Sequence, residues 1–172
     1  MNIYLASALT HVPEKEFPSY TSRLHRLAAA LECDGSNNIK YALMNSDPQL
    51  SEKPHREQPI LCYLWDRAMV EAADLIVAEA SYPSTGLGIE LQIAEAKGIP
   101  LILCFESSES KRSQAKFYEN PGNSRHELQV GDGFISLMAL GLPNTLAVIP
   151  YMDELECIEE LQRKISLIDR KF

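Results

Sequence analysis

The sequence predicts an α/β fold, a three-layer sandwich around a mostly parallel sheet of about five strands. Unbroken apolar runs at 75–78 and 101–105 are typical of strands that are buried on both faces of such a sheet. Between these runs, apolar residues recur at helical spacing, and Gly98 stands where a left-handed C-terminal cap is expected. The segment 66–105 therefore predicts a β-turn-α-β unit that organises the rest of the chain.

The elements before this unit follow from the same patterns. Ile3 to Ala8 predicts the first strand, Phe17 to Glu32 a helix, and Lys40 to Asn45 the second strand. Residues 46–59, which contain three prolines, predict an irregular loop, either a lid over a site or a plain surface excursion. Ile60 to Ala73 then predicts a second helix. The apolar face of the first helix consists of Tyr20, Leu24, Leu27 and Leu31.

The C-terminal third adds an insertion and the last elements. Residues 106–133 are rich in Ser, Lys, Glu, Asn and Gly and predict a solvated insertion. Gly133 to Gly141 predicts a short helix and Thr145 to Ile149 the last strand, while Asp153 and Glu156 form a capping box for the final helix. The apolar stripe of that helix is Leu155, Ile158, Leu161, Ile165 and Ile168. These elements together are typical of a flavodoxin-like arrangement.

Composition limits the classes of function. A chain of 172 residues with 45% apolar content is expected to fold as a single domain, 1–172. A net charge of −8, with no dense Lys/Arg stripe, disfavours a nucleic-acid partner. The start MNIYLASAL lacks a basic leader, and no apolar run approaches the roughly 20 residues that span a bilayer. We therefore expect no membrane partner and a cytoplasmic location.

Cysteines and histidines give no metal signal. Cys33, Cys62, Cys104 and Cys157 are scattered without a CxxC pair, which indicates neither a zinc site nor a disulfide framework. Buried or idle thiols are the favoured interpretation. The histidines show no HExxH spacing, and His11 alone is placed near the expected site.

The turn from Pro83 to Glu90 lies where ligands bind in open α/β sheets, beside a helix N-terminus. Gly86 and Gly88 would let a ligand approach backbone N–H groups, which form a cradle for an anion or oxygen. Ser84 could cap the helix or bond the ligand. Glu90 is expected in the first helical turn, where the helix dipole favours its ionised form, and a charged carboxylate is a usable nucleophile. Equally, Glu90 could be one of the many acids found in first turns.

Five other positions are candidates. Ser7, Thr10 and His11 follow the first strand and are expected at the same sheet edge as the turn. Tyr4 and Asp66, taken singly, are more readily explained as a core tyrosine and a solvated helix acid.

Taken together, these segments resemble the nucleoside 2-deoxyribosyltransferase superfamily, which includes the 2′-deoxynucleoside 5′-phosphate N-hydrolases. Ile3 to Ser7 is similar to that family's first strand with its site tyrosine, and PSTGLGIE at 83–90 is similar to its nucleophile turn. Asp66, eight residues before Asp74, resembles its second site carboxylate, and 134–138 resembles a segment that a neighbouring subunit inserts into the site. The resemblance covers residues 3–10, 66–105 and, more loosely, 134–141.

The resemblance implies an N-glycosidase or a deoxyribosyltransferase that needs no metal or cofactor. Glu90 would attack C1′ of a nucleotide or nucleoside, as in retaining glycoside hydrolysis. Asp66 would supply or relay a proton to the departing base, or hold the base or water, and Tyr4 would orient Glu90. Resolution of the intermediate by water gives hydrolysis, and resolution by a second base gives transfer.

Two serines favour the hydrolase branch and a 5′-monophosphate. The transferases carry an acid at the position of Ser84 and an amide at that of Ser136, and a carboxylate beside a phosphate would repel it. The hydrolases, however, have a Ser-hydrophobic-Arg stretch where this chain has Ala8 to Thr10. His11, Arg23 or the unmatched loops would have to compensate. The base, and the choice of deoxyribose or ribose, are not indicated.

The resemblance of 135–138 to the inserted segment implies a homodimer or larger assembly with shared sites, although a core helix would explain the same apolar residues. Two other classes of function stay open. One is a nucleotide-binding sensor that has kept the pocket without turnover. The other is an enzyme that cleaves a different N-glycoside, such as a dinucleotide cofactor.

Overall fold

A computed structural model describes residues 1–32, 35–46 and 49–169. Its main sheet has five parallel strands in the order β2-β1-β3-β4-β7. A separate antiparallel hairpin, β5-β6, lies within the insertion. The predicted α/β architecture with a parallel sheet of about five strands is therefore confirmed. The strands are β1 (Asn2–Ser7), β2 (Asn38–Lys40), β3 (Leu75–Glu79), β4 (Leu101–Glu106), β5 (Phe117–Glu119), β6 (Arg125–Glu127) and β7 (Thr145–Tyr151).

Helices cover both faces of the sheet, because apolar residues on both sides of the central strands must be removed from water. Helices α1 and α6 pack on one face, and α3 and α4 pack on the other. The helices are α1 (Phe17–Glu32), α2 (Ala42–Asn45), α3 (Gln58–Glu71), α4 (Thr85–Ala96), α5 (Leu137–Leu140) and α6 (Glu154–Asp169), with 3-10 turns at Leu50–Glu52 and Glu109–Lys111.

Strand β1 separates the two halves of the core. Ile3 and Leu5 join the cluster beneath α1 and α6, which we call the first core cluster. Tyr4 and Ala6 point to the opposite face and join the second core cluster, beneath α3 and α4. This alternation is the period-2 pattern of a strand. It puts the predicted site tyrosine on the face covered by the helices that carry Asp66 and Glu90.

The predicted second strand, Lys40 to Asn45, is wrong. Strand β2 is the three-residue edge strand Asn38–Lys40, and the apolar residues that follow form the short helix α2. The Tyr41 backbone N–H donates to Asn45 Oδ1 at 2.9 Å, so the chain closes into a turn instead of continuing along the sheet.

Other boundaries differ in smaller ways. Helix α3 begins at Gln58, two residues before the predicted start, and α5 is confined to Leu137–Leu140. In α6, Leu155 is 68% exposed and lies outside the apolar stripe. Its backbone N–H is capped by Asp153 Oδ1 at 2.8 Å, which holds the first turn at the surface. The insertion 106–133 contains the β5-β6 hairpin.

Three further findings concern the described part of the chain. No helix in it combines the length and apolar character needed to cross a bilayer. Cys62, Cys104 and Cys157 are free thiols, while Cys33 lies outside the described residues. No group of three or more His, Cys, Asp and Glu side chains in residues 1–32, 35–46 and 49–169 is placed to hold a metal ion.

Candidate active site

The start of α4 places Glu90 against Tyr4. Ser84 is the N-cap residue, and its Oγ accepts a hydrogen bond from the Leu87 N–H at 3.2 Å. Thr85 is therefore the first helical residue, and Glu90 lies in the second turn, not in the first turn as predicted. From there the Glu90 side chain reaches the sheet, where the Tyr4 hydroxyl donates to its Oε1 at 2.8 Å.

The environment of Glu90 favours its protonated form. The side chain is only 8% exposed, and this burial raises its pKa to about 7. The hydrogen bond from Tyr4 lowers the pKa, and the negative charge of Asp66 raises it. The expectation that the helix dipole keeps this carboxylate ionised is therefore wrong, because desolvation outweighs any stabilisation at the helix start. Oε2 is buried and has no hydrogen-bond partner among the described residues.

Asp66 approaches the same point from α3. Its carboxylate raises the pKa of both Tyr4 and Glu90, which places its charge close to the pair. Partial burial raises the pKa of Asp66 itself, and a hydrogen bond from the Cys62 thiol lowers it. The structure thus brings the three predicted catalytic side chains together from β1, α3 and α4. In the sequence, Asp66 lies 62 residues after Tyr4, and Glu90 lies 86 residues after it.

Cys62 was not predicted to lie at this site. Its Sγ is 3.6 Å from Asp66 Oδ2, one helical turn away on α3. The signal was present in the sequence, because residues four apart on a helix are neighbours and the helix carrying Asp66 was predicted to begin at Ile60.

Gly86 and Gly88 leave open space at the helix start. A methyl group at Gly88 would meet no heavy atom within 4 Å, and one at Gly86 would meet only Ser84 Oγ, at 3.7 Å. Packing within the chain therefore does not require glycine at either position, although glycine costs a helix about 1 kcal/mol relative to alanine. The space is suited to close approach of a ligand to the backbone.

Ser7, Thr10 and His11 make no hydrogen bond to the Glu90 carboxylate in the described part of the chain. Ser7 is half-buried at the strand end and pairs in register with Glu79. By strand alternation it lies on the face opposite Tyr4. Thr10 and His11 are exposed in the loop that follows. All three lie at the carboxyl edge of the sheet, and a role in binding stays a prediction.

Ser136 lies in a segment in which some apolar side chains pack against the core and others are exposed. Its Oγ accepts a hydrogen bond from the Met138 N–H at 3.3 Å and caps α5. Ile135, Ala139 and Leu140 pack partly buried against the second core cluster, which also contains Tyr4. Met138, in contrast, is 85% exposed. The segment is thus partly core and partly an apolar surface.

A second buried carboxylate, Glu79, ends β3 on the opposite face. It accepts hydrogen bonds from the Ser81 hydroxyl and from the Tyr151 hydroxyl, the latter at 2.7 Å. Arg23 donates to the Tyr151 hydroxyl at 2.9 Å and to Glu106 at 3.0 Å. Arg23, considered above as a compensating phosphate ligand, is therefore engaged in this network.

An apolar cavity lies away from these side chains. It has a volume of about 480 Å³ and is lined by residues at the start of β4 and β7 and on α6, among them Ile102, Leu146 and Leu167. Ligands of parallel sheets bind at the carboxyl ends of the strands, so we do not assign the reaction to this cavity.

Comparisons with known proteins find relatives of the kind that the resemblance predicts. No family model matches the chain. Over 59 residues it is 37% identical to "Putative 2′-deoxynucleoside 5′-phosphate N-hydrolase 1" of Syntrophotalea carbinolica. The matched segment covers 34% of this chain and 42% of that protein. Over 132 residues it is 27% identical to the protein of the same name from Methanosarcina mazei. This match covers 77% of this chain and 66% of that protein. The chain thus matches less than two thirds of the length of either relative.

Among solved structures, a CMP N-glycosidase of Clostridium botulinum, BcmB, has a TM-score of 0.57 and 21% identity, over 95% of this chain and 98% of that chain. At that identity the likeness shows the fold alone. The resemblance to the nucleoside 2-deoxyribosyltransferase superfamily, closest in site pattern to the 2′-deoxynucleoside 5′-phosphate N-hydrolases, is confirmed.

Proposed function

We propose that this chain is an N-glycosidase that cleaves the base–sugar bond of a nucleoside 5′-monophosphate, with Glu90 as the nucleophile. The observation that carries the proposal is the pairing of Tyr4 with one oxygen of Glu90, which leaves the second oxygen without a partner beside a further carboxylate, Asp66. The names of the two curated relatives support the same reaction class.

In the first step, Glu90 Oε2 attacks C1′ of the sugar. A glycosyl ester forms, the C1′–N bond breaks, and the base departs with the bonding electrons and a proton. Asp66 is the candidate to supply or relay that proton, because partial burial raises its pKa and so makes its carboxylate a better proton acceptor. In the second step water attacks C1′, the C1′–O bond to Glu90 breaks so that Glu90 is released as a carboxylate, and the proton of the water passes to Asp66.

Tyr4 holds the nucleophile in place. Burial and the charge of Glu90 raise the pKa of the Tyr4 phenol, so it remains a hydrogen-bond donor at physiological pH. Its bond to Oε1 fixes the carboxylate and favours the ionised state that the attack requires.

We assign Ser84 to the recognition of a 5′-phosphate. Its Oγ already accepts from the Leu87 N–H, but a hydroxyl retains its proton for donation to a further acceptor. A phosphate at this point would also meet the N-terminus of α4 and the open space at Gly86 and Gly88. The Ser136 Oγ likewise accepts a hydrogen bond, from the Met138 N–H at the start of α5. Its hydroxyl proton could therefore be donated to a phosphate bound in the same or a neighbouring subunit.

We also propose that the protein forms a homodimer or larger assembly with shared sites. Each chain is a single domain, and the protein is located in the cytoplasm. The exposed apolar side chains of Leu137 and Met138 support the assembly. The exposed free thiol of Cys62 suits a reducing compartment. Light scattering at micromolar concentration should give at least twice the 19.3 kDa of one chain, and a monomer would refute shared sites.

A deoxyribosyltransferase is the second candidate. The observation that favours it is the stretch Ala8 to Thr10, which lacks the arginine of the hydrolases. The transferase would follow the same first step, with a free base in place of water in the second.

The test is incubation of the pure protein with nucleosides, nucleoside 5′-monophosphates and dinucleotides, followed by chromatography for released base. The proposal predicts release from a monophosphate in the absence of any acceptor base. Release from a nucleoside only when an acceptor base is added would indicate the transferase. Binding of a nucleotide without release would indicate the sensor, and release from a dinucleotide alone would indicate another N-glycoside as substrate.

A further inference from the structure

The thiol of Cys62 and the carboxylate of Asp66 form a pair on one face of α3. Cys62 Sγ lies 3.6 Å from Asp66 Oδ2, within the range of a hydrogen bond to sulfur. The other carboxylate oxygen, Oδ1, has no recorded partner in the described part of the chain. The thiol therefore engages one oxygen of Asp66 and leaves the other for substrate or water.

The direction of this hydrogen bond is fixed by charge. Cys62 is exposed, but partial desolvation and the nearby carboxylates of Asp66 and Glu90 raise the pKa of its thiol. The sulfur therefore keeps its proton at neutral pH and acts as the donor, and Asp66 acts as the acceptor. A donor to an ionised carboxylate favours that ionised form, which opposes the effect of burial on Asp66.

Other charged groups around Asp66 do not replace this donor. Tyr4 on β1 already donates to Glu90, and Glu90 on α4 is itself a carboxylate. Arg67, the next residue of α3, binds Glu71 at 2.9 Å, and Lys97 binds the same carboxylate at 3.3 Å. Cys62 is thus the side chain recorded as donating to Asp66.

We propose that Cys62 is a positioning residue for Asp66, which orients its carboxylate and sets the pH range over which that carboxylate can hold or release a proton. The inference rests on the proposed function for its catalytic meaning, but the hydrogen bond itself can be tested without turnover. Cys62 does not touch the sugar or the base in this scheme and acts through Asp66.

The experiment follows the Asp66 carboxyl carbon by NMR in protein labelled with ¹³C at aspartate side chains, assigned by its disappearance in Asp66→Asn. Cys62→Ala removes the donor, and Cys62→Ser restores one. We expect the Asp66 pKa to rise by about half a unit in Cys62→Ala and to return towards the wild-type value in Cys62→Ser. Ala68→Ser, an exposed substitution on the same helix, is the matched control and should leave the pKa unchanged.

The same variants are then assayed for base release across pH. The shift in the Asp66 titration should reappear in the pH profile of kcat for Cys62→Ala, as a change of about threefold in rate on the flank governed by Asp66. An identical Asp66 pKa in all variants would overturn the inference while leaving the proposed function intact. Absence of base release from the wild type, with the NMR shift present, would instead remove the proposed function and keep the hydrogen bond.

Discussion

The Tyr4 hydroxyl lies 2.8 Å from Glu90 Oε1, although the two residues are 86 positions apart in the sequence. Both side chains are buried, one from a central strand and the other from the second turn of the helix that follows β3. A buried carboxylate with a single neutral donor is poised between its two protonation states, since burial raises its pKa and the hydrogen bond lowers it. Four of the five predictions below follow from this pair and from Asp66.

Tyr4→Phe removes the donor and keeps the ring. The hydrogen bond lowers the pKa of Glu90 from the value that burial alone would give, so its loss should raise that pKa further. The rate of base release, which requires ionised Glu90, should therefore reach half its maximum at a pH about one unit higher. Tyr20→Phe, which alters a buried tyrosine on the opposite face of the sheet, is the control and should leave the midpoint in place.

Glu90 should make the folded protein less stable as the pH rises. Its pKa is about 7 in the folded protein and 4.5 for the free side chain, so the folded state holds the proton more tightly. The resulting loss in the free energy of unfolding is absent below pH 4.5, grows between pH 4.5 and 7, and levels off above pH 7. At about 1.4 kcal/mol for each pKa unit, the full loss is about 3 kcal/mol.

Glu90→Gln removes this titration. In urea unfolding, the stability of the variant relative to the wild type should increase from pH 4.5 to pH 8 by up to about 3 kcal/mol. A constant difference for Glu90→Gln at all pH values would mean that its carboxyl is not desolvated as the structure indicates.

Asp66→Asn keeps the shape of the side chain but cannot carry a proton between base and water. We expect kcat to fall by about a hundredfold, with a much smaller change in the dissociation constant of the nucleotide. Steady-state kinetics and calorimetric binding of the monophosphate measure the two effects separately. Equal losses in binding and in rate would assign Asp66 to substrate binding instead of proton transfer.

Ser84→Asp tests the substrate's charge without removing the helix cap, because aspartate is as good an N-cap as serine. A hydrogen bond from the Ser84 hydroxyl to a phosphate contributes about 1.5–3 kcal/mol of binding free energy, and a carboxylate at this position would repel the phosphate. The variant should lose at least about tenfold in kcat/KM for the monophosphate and keep its rate on the nucleoside. A similar loss on both substrates would place the 5′ group elsewhere.

The fold around β3 and α4 could be predicted because its signals are local. The apolar run 75–78 fills a strand that is buried on both faces, and Gly98 has the positive φ of 68° expected of a helix end. The second strand could not be located in this way. Leu43 and Met44 are apolar but exposed. The turn that takes them away from the sheet is closed by backbone hydrogen bonds from Met44 and Asn45 to the Tyr41 carbonyl and by one from the Tyr41 N–H to Asn45 Oδ1.

The resemblance predicted side chains that the structure brings together, but it did not predict their electrostatics. The resemblance named Tyr4, Asp66 and Glu90, whereas the helix dipole alone gave the wrong direction for the pKa of Glu90. Burial is decided by parts of the chain that are distant in sequence, and spacing within one helix does not report it. The same holds for Glu79, whose partner Tyr151 lies 72 residues away.

The role of Glu90 as the nucleophile can be measured as the rate of base release by Glu90→Gln from the monophosphate that the wild type cleaves best. The substitution deletes the charge and preserves the shape, so the rate should fall by more than about a hundredfold while the protein stays folded. Release of the base at a near-normal rate by Glu90→Gln would show that Glu90 is not the nucleophile.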